Sequence, residues 1–139
     1  MPVRLLPRTL LVAAVIWALP WTAVGLLVGL VGLATGGHAR RRGRVIEFHG
    51  GAVTWLLRRL PKAPLAVAMT LGHTVLGQTE AALDITHEHE MVHVRQYERW
   101  GPFFVPAYLF CSAAAWLRGK DPHKDNPFER QAYREAPER

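Results

Sequence analysis

Apolar residues are concentrated in two stretches of the chain that contain no charged residue, residues 9–35 and residues 103–117. As one α-helix, the first stretch would be about 40 Å long, which is enough to span a bilayer with some tilt. Pro20 divides it near the middle, so a helical hairpin is an alternative, although each arm would be too short to cross. A cleaved signal peptide and a buried core helix are further alternatives, but the core of a typical signal sequence is shorter. We therefore expect an N-terminal membrane anchor.

The second apolar stretch is shorter, and its roughly 15 residues are too few for a typical transmembrane helix. Trp100 and Trp116 bracket it, and tryptophan is enriched at membrane–water interfaces. The stretch therefore predicts either a buried helix or a helix that lies at the membrane interface.

Between these stretches, short apolar runs are separated by glycine and proline, a pattern typical of strands and turns. Residues 45–48, 65–71 and 74–76 are predicted strands, whereas residues 52–60 fit either a strand or a short helix. The pattern predicts a small sheet of two to four strands.

Two further segments have the composition of helices. Residues 80–99 contain neither glycine nor proline, and the Gly101-Pro102 pair that follows is a helix stop signal. Residues 128–135 can form a last short helix. Together the elements predict an α+β fold in which the small sheet packs on the helix of residues 80–99, behind an N-terminal transmembrane helix or helical hairpin.

Basic residues flank the first apolar stretch. Residues 36–44 are a basic, glycine-containing linker, which predicts a boundary between an anchor with its linker in residues 1–43 and a second domain in residues 44–139. A net charge of +6 is compatible with nucleic acid or with an anionic membrane surface. Because the arginines lie beside the apolar stretch, we expect membrane lipid as a partner and no nucleic acid. They are Arg4, Arg8, Arg40, Arg41, Arg42 and Arg44.

The sequence also bears on topology and redox environment. The denser arginine cluster, in residues 40–44, favours a cytoplasmic position for the domain that follows it. Cys111 is the only cysteine, which excludes an intrachain disulfide and gives no indication of an oxidising compartment.

The chemistry of the chain is concentrated in residues 89–93, which read H-E-M-V-H within the predicted helix. Positions i and i+4 of a helix lie on one face, so His89 and His93 can bind one Zn²⁺. Glu90 can then act as the general base on a water molecule at the metal. A solvated helix with chance histidine spacing is the alternative.

A helical wheel places Ile85, Val92, Gln96 and Trp100 on the same broad face as the two histidines, with Tyr97 on its flank. We expect this face to meet the domain interior, because a metal site needs supporting groups around its ligands.

A zinc site needs a third protein ligand. The metzincin pattern is excluded, because Gln96 stands in place of its glycine and Arg99 in place of its third histidine. A carboxylate from a downstream helix is the remaining common solution. Glu129 fits, since it lies in the first turn of a helix that Asn126 can cap. Its alternative role is to interact with the helix dipole, and Asp121 and Asp125 are nearby rivals.

The pair of motifs, H-E-x-x-H and a later helix with N-x-x-E-x-x-A, resembles the gluzincin branch of zincin metallopeptidases. Residues 66–134 resemble small bacterial membrane proteins with a minimal zincin-like core. The resemblance implies that His89, His93 and Glu129 are zinc ligands and that Glu90 is the general base. It also implies a cleft walled by the sheet, whose edge strand binds an extended peptide or protein substrate.

This resemblance leads us to expect a membrane-anchored zinc metallopeptidase of a bacterial inner membrane. One position departs from the pattern, because many gluzincins carry an aspartate where this chain has Tyr133. Support for a histidine ligand must then come from elsewhere, and Asp84 and Asp125 are candidates. The alternative function is a catalytically inactive metal-binding or structural membrane protein that retains the motif.

Four other side chains are candidates for supporting the ligands or stabilising an oxyanion: Gln96, Tyr97, Tyr133 and His73. Ordinary packing is the alternative for each tyrosine, and His73 could merely end a strand. Gln96 is expected to point inward and to bind backbone or a group near the Glu129 helix without ligating the metal. His123 lies in a predicted loop and is expected to be solvated.

Overall fold

The computed structural model describes residues 7–60 and 67–136, which form an α+β fold. Within these residues, five α-helices and a 3₁₀ turn accompany one four-stranded sheet. In chain order the elements are α1 (Arg8–Ala34), β1 (His38–Arg42), β2 (Val45–His49), α2 (Gly51–Arg59), β3 (Ala68–Leu71), β4 (Thr74–Gly77), α3 (Glu80–Trp100), the 3₁₀ turn (Gly101–Phe103), α4 (Phe104–Leu117) and α5 (Pro127–Glu135).

The sheet is mixed and has the order β1-β2-β4-β3. Its two outer pairs are antiparallel hairpins, whereas β2 and β4 run parallel, with Ile46 opposite Thr74. Each hairpin turns through two residues and begins with a glycine at positive φ, Gly43 at 59° and Gly72 at 61°. The sequence prediction of a small sheet is confirmed, and residues 52–60 are resolved as the helix α2. Residues 65 and 66 of the predicted strand 65–71 lie outside the described residues.

The predicted basic linker contains an unexpected edge strand, β1. Its arginines bind carboxylates of the following domain: Arg40 lies 2.8 Å from Glu47 and 2.9 Å from Glu80, and Arg42 pairs with Asp84. These contacts reach α3 as well as the neighbouring strand. Much of the positive charge that the sequence places beside the first apolar stretch is therefore paired with carboxylates within the fold.

Helix α1 runs without interruption through Pro20, so the helical hairpin alternative is wrong. Its buried residues are mostly small, and they allow the helix backbone to approach the sheet and α2 closely. A methyl group added at Gly29 would lie 2.5 Å from the ring of Phe48, and one at Gly32 would lie 2.7 Å from Val53. Helices α1 and α2 thus cover one face of the sheet, while α3 packs on the other face through Val45 and neighbouring residues.

Two helical stretches of the described chain are long and apolar enough to cross a membrane, residues Arg8–Ala34 and Glu80–Leu117. This property supports membrane association. The second stretch is not one straight helix, because Gly101 adopts a positive φ of 57° and the 3₁₀ turn separates α3 from α4.

The helix that carries the H-E-x-x-H motif begins where Thr79 caps it by accepting a hydrogen bond from the Ala82 N–H. Asn126 caps α5 in the same way, as predicted, by accepting from the Phe128 N–H at 2.9 Å. The side-chain amide of Asn126 also donates to Tyr108 O and to Ser112 Oγ of α4. This buried asparagine therefore fixes the start of α5 against α4, next to the motif helix.

Candidate metal centre

The structure brings together the three predicted ligands from two helices. His89 Nε2 lies 3.1 Å from Glu129 Oε2, and His93 Nε2 lies 3.3 Å from the same oxygen. The two imidazole Nε2 atoms are 3.3 Å apart. These three side chains can together hold a metal ion, and we call them the metal group.

The separations of these donor atoms fit a tetrahedral ion. Ligand bonds of about 2.0–2.2 Å at tetrahedral angles place donor atoms roughly 3.3 Å from one another. The observed separations are close to this value, so a metal can be bound without large movement of the helices. Three protein donors leave the fourth tetrahedral position for another group.

The Glu129 carboxylate has a partner for each oxygen. Oε2 faces the two histidines, whereas Oε1 accepts a hydrogen bond from Tyr108 Oη at 2.7 Å. His123 Nδ1 lies 3.6 Å from Oε1, so this loop histidine is not simply solvated as expected. Burial alone would raise the pKa of Glu129, but hydrogen bonds from His89 and His93 outweigh it and hold the pKa far below its usual value. Glu129 is therefore ionised at neutral pH, as a carboxylate that binds a metal ion must be.

Gln96 points inward, as predicted, and joins the motif helix to α5. Its Oε1 lies 2.8 Å from His93 Nδ1, while its Nε2 donates to Phe128 O and to Gln131 Oε1. Because an amide oxygen can only accept, His93 Nδ1 carries the hydrogen. The other ring nitrogen, Nε2, faces Glu129 and His89 and is the one that could bind a metal ion.

Glu90 is buried, with 5% of its surface exposed, and binds the edge strand β3. Thr70 Oγ1 donates to Glu90 Oε2 at 2.5 Å, and Tyr97 Oη donates to the backbone oxygen of Thr70 at 3.1 Å. Tyr97 therefore holds the strand beside the motif helix, and its hydroxyl is already engaged there. A role for Tyr97 at an oxyanion therefore stays a prediction, and the contact that the structure shows is with the strand.

Tyr133 lies beside the ligand His89, with the two ring centroids 4.8 Å apart. Its hydroxyl lies 3.4 Å from His123 Nε2. The residue that departs from the gluzincin pattern thus occupies the neighbourhood of a histidine ligand, as an aromatic ring in place of a carboxylate.

His73 does not support the metal group, because its Nε2 lies 2.9 Å from Glu98 Oε2, and Glu98 in turn binds Arg44. Both aspartates suggested as supports also bind arginines: Asp84 pairs with Arg40 and Arg42, and Asp125 lies 3.0 Å from Arg130. The structure thus engages these three side chains in ion pairs with other residues and not with the histidine ligands.

The prediction of a buried face on the motif helix was also wrong toward both ends of the helix. Ile85 is 83% exposed and Trp100 is exposed as well, although both were expected to face the interior. On this face of the motif helix the domain covers the central turns, where Val92, His93 and Gln96 are buried.

Sequence reasoning missed Tyr108 and His123 as neighbours of Glu129. No spacing rule links Tyr108 to a glutamate 21 positions later. Both contacts depend on how α4 and the following loop fold back on α5.

Comparison of the chain with protein-family models finds no match, and searches of curated proteins and of solved structures also find none. The resemblance to gluzincins therefore stays a prediction. The function has to be argued from the geometry and chemistry of the site itself.

Proposed function

We propose that the protein is a membrane-anchored, zinc-dependent peptidase. The observation that carries this proposal is the convergence of His89, His93 and Glu129 donor atoms beside Glu90 of the same H-E-x-x-H helix. Two imidazoles and one carboxylate, with a fourth position open, are a common ligand set of catalytic zinc sites.

A zinc ion bound by these residues would activate a water molecule and polarise the scissile carbonyl of a peptide. The protein's own part in the reaction falls to Glu90, which takes the proton from the water and passes it to the leaving amine. Thr70 orients this carboxylate through its hydrogen bond to Oε2. Tyr108 and Gln96 orient the ligands Glu129 and His93 in the same way.

The sheet offers a place for an extended substrate. Strand β3 is at the end of the sheet order, and its residue Thr70 contacts the general base. A peptide that pairs with an edge strand gains main-chain hydrogen bonds that do not depend on its side chains. A peptide on the outer edge of β3 would lie beside Glu90, which suits a protein or peptide substrate.

We propose that α1 anchors the chain in a bacterial inner membrane with the metal domain on the cytoplasmic side. The length and apolar composition of α1 support the anchor, and the arginines that follow it support the orientation.

One observation favours a second candidate, a metal-binding membrane protein without catalytic activity. Glu90, His93 and Glu129 are all buried, and the ligand His89 is only partly exposed. A buried site of this kind suits a structural metal as well as a catalytic one.

Metal content and turnover separate these possibilities. Wild type, His93→Ala and Glu90→Gln are purified in detergent, and zinc is measured by elemental analysis. Each protein is then incubated with a peptide library, and new termini are identified by mass spectrometry. Glu88→Gln is the matched control, because Glu88 is an exposed carboxylate on the same helix.

For a peptidase, Glu90→Gln retains zinc and loses cleavage, His93→Ala loses both, and Glu88→Gln behaves as wild type. Wild-type protein that holds zinc and cleaves no peptide would support the inactive alternative. Wild-type protein without zinc would contradict both candidates.

A further inference from the structure

Helix α4 carries its large apolar side chains on the outside of the fold. Phe110 and Leu117 are 75% and 76% exposed. The exposed positions follow one another at intervals of three and one residues, so they form a single stripe along the helix. They are Pro106, Leu109, Phe110, Ala113, Trp116 and Leu117.

The inward side of α4 is the more polar one. Tyr108 donates to Glu129, and Ser112 Oγ accepts from the amide of Asn126. A helix on the surface of a protein in water has the opposite arrangement, with its apolar face turned toward the core. An exposed apolar surface of this extent marks a site of interaction.

The apolar surface of α4 is continuous with that of α1. The ring of Trp17 lies 6.0 Å from that of Phe103, just before α4, and both residues remain exposed. Trp21 Nε1 also donates to Pro102 O at 3.1 Å. Helix α1 shows the same reversed arrangement, because glycines such as Gly29 face the fold while large apolar side chains face outward.

We propose that α4 lies in the lipid bilayer beside α1, as a second membrane-contacting helix that enters the membrane without crossing it. Its 14 residues extend about 21 Å, which is shorter than the hydrocarbon core of about 30 Å. It contains no charged residue, and Arg118 and Lys120 follow directly, where they can meet anionic headgroups. The break at Gly101 keeps the charged helix α3 out of the lipid.

This position has a consequence for the metal group. Tyr108 is on the inward side of α4 and binds Glu129 directly, so the metal group lies one helix away from the lipid. The surface contact is independent of catalysis, and it stands even if the protein is not a peptidase.

Fluorescence quenching by lipids tests the proposal. Single cysteines are introduced at Phe110 and Leu117 in a Cys111→Ser background and labelled with an environment-sensitive fluorophore. The full chain is reconstituted into phosphatidylcholine–phosphatidylglycerol vesicles with or without doxyl-labelled lipid. Ile85 is the matched control, because it is an apolar side chain of similar exposure on α3. A label at Leu27, on the outward side of α1, reports whether the chain is in the bilayer.

Labels at 110, 117 and 27 should lose most of their fluorescence to doxyl lipid, while the label at 85 should retain it. Quenching at 27 without quenching at 110 and 117 would overturn the proposal while leaving the anchor intact. Equal quenching at 85 would also overturn it, because the whole surface would then adsorb to lipid. Disulfide cross-links between two copies through position 110, without quenching, would assign the surface to a second copy of the chain. The two α4 positions are read separately, so a variant that misfolds does not decide the result.

Discussion

Tyr108 of α4 donates a 2.7 Å hydrogen bond to Glu129 Oε1, on the carboxylate whose other oxygen faces both histidines. This bond ties the apolar helix α4 to the metal group on α3 and α5. Because the carboxylate is ionised and buried, the hydroxyl both satisfies an oxygen and fixes the direction in which Oε2 points.

Replacement of Tyr108 by phenylalanine removes this bond and keeps the ring. We expect the affinity for zinc to fall about 10–100-fold, as is typical when a group that orients a metal ligand is lost. Affinity is measured by competition with a chromophoric chelator. Tyr97→Phe is the matched control, because its hydroxyl binds Thr70 O and no metal ligand. Equal affinities of the two variants would mean that Tyr108 only packs against α5.

Gln96→Leu tests the corresponding support of His93. The change removes the acceptor of the His93 Nδ1 hydrogen and the two hydrogen bonds from Gln96 to α5. Zinc affinity should again fall about 10–100-fold, because the ring and its tautomer are no longer fixed. Metal titration and thermal unfolding are measured together, since both helices are affected. Loss of stability with unchanged zinc affinity would mean that Gln96 is an ordinary interior polar residue that stabilises the fold and does not support the metal ligand.

The parts of the site that could be predicted from the sequence depend on local rules. The spacing of His89 and His93 places them on one helix face wherever that helix lies, and Asn126 before Pro127 marks a helix start. Glu129 follows from these two rules and from the need for a third donor. The structure brings all three donors together.

The parts that could not be predicted depend on contacts between distant segments. Strand β1 has the sequence His-Ala-Arg-Arg-Arg, which lacks the apolar alternation of a half-buried strand, and its pairing with β2 is accompanied by ion pairs that reach Asp84. The contact of His73 with Glu98 is likewise a contact between distant segments. The roles of Tyr108 and His123 arise only when α4 and its loop pack on α5.

The close approach of α1 to the sheet gives a prediction about stability. A Cβ atom at Gly29 would lie 2.5 Å from the ring of Phe48, so Gly29→Ala forces either the helix or the ring to move. We expect a loss of about 1–3 kcal/mol, the usual cost of overpacking a core. Unfolding in detergent is compared with that of Ala23→Val, an addition at an exposed position of the same helix. If the two variants are equally stable, α1 is not packed on the sheet in solution.

The bond between Thr70 and Glu90 gives the sharpest test of the proposed mechanism. Thr70→Val keeps the shape of the side chain but removes the donor that holds Glu90 Oε2. Zinc content should not change, because the Thr70 hydroxyl donates to Glu90 and Glu90 is not one of the three ligands. Turnover should fall, but by less than the about 10²–10⁴-fold that general base catalysis contributes as a whole.

Thr54→Val is the matched control, since the Thr54 hydroxyl donates to Gln78 O on the side of the sheet covered by α2. A decrease in kcat with unchanged zinc content in Thr70→Val alone would identify Thr70 as the residue that positions the base, whereas unchanged kcat would mean that Glu90 is positioned without it.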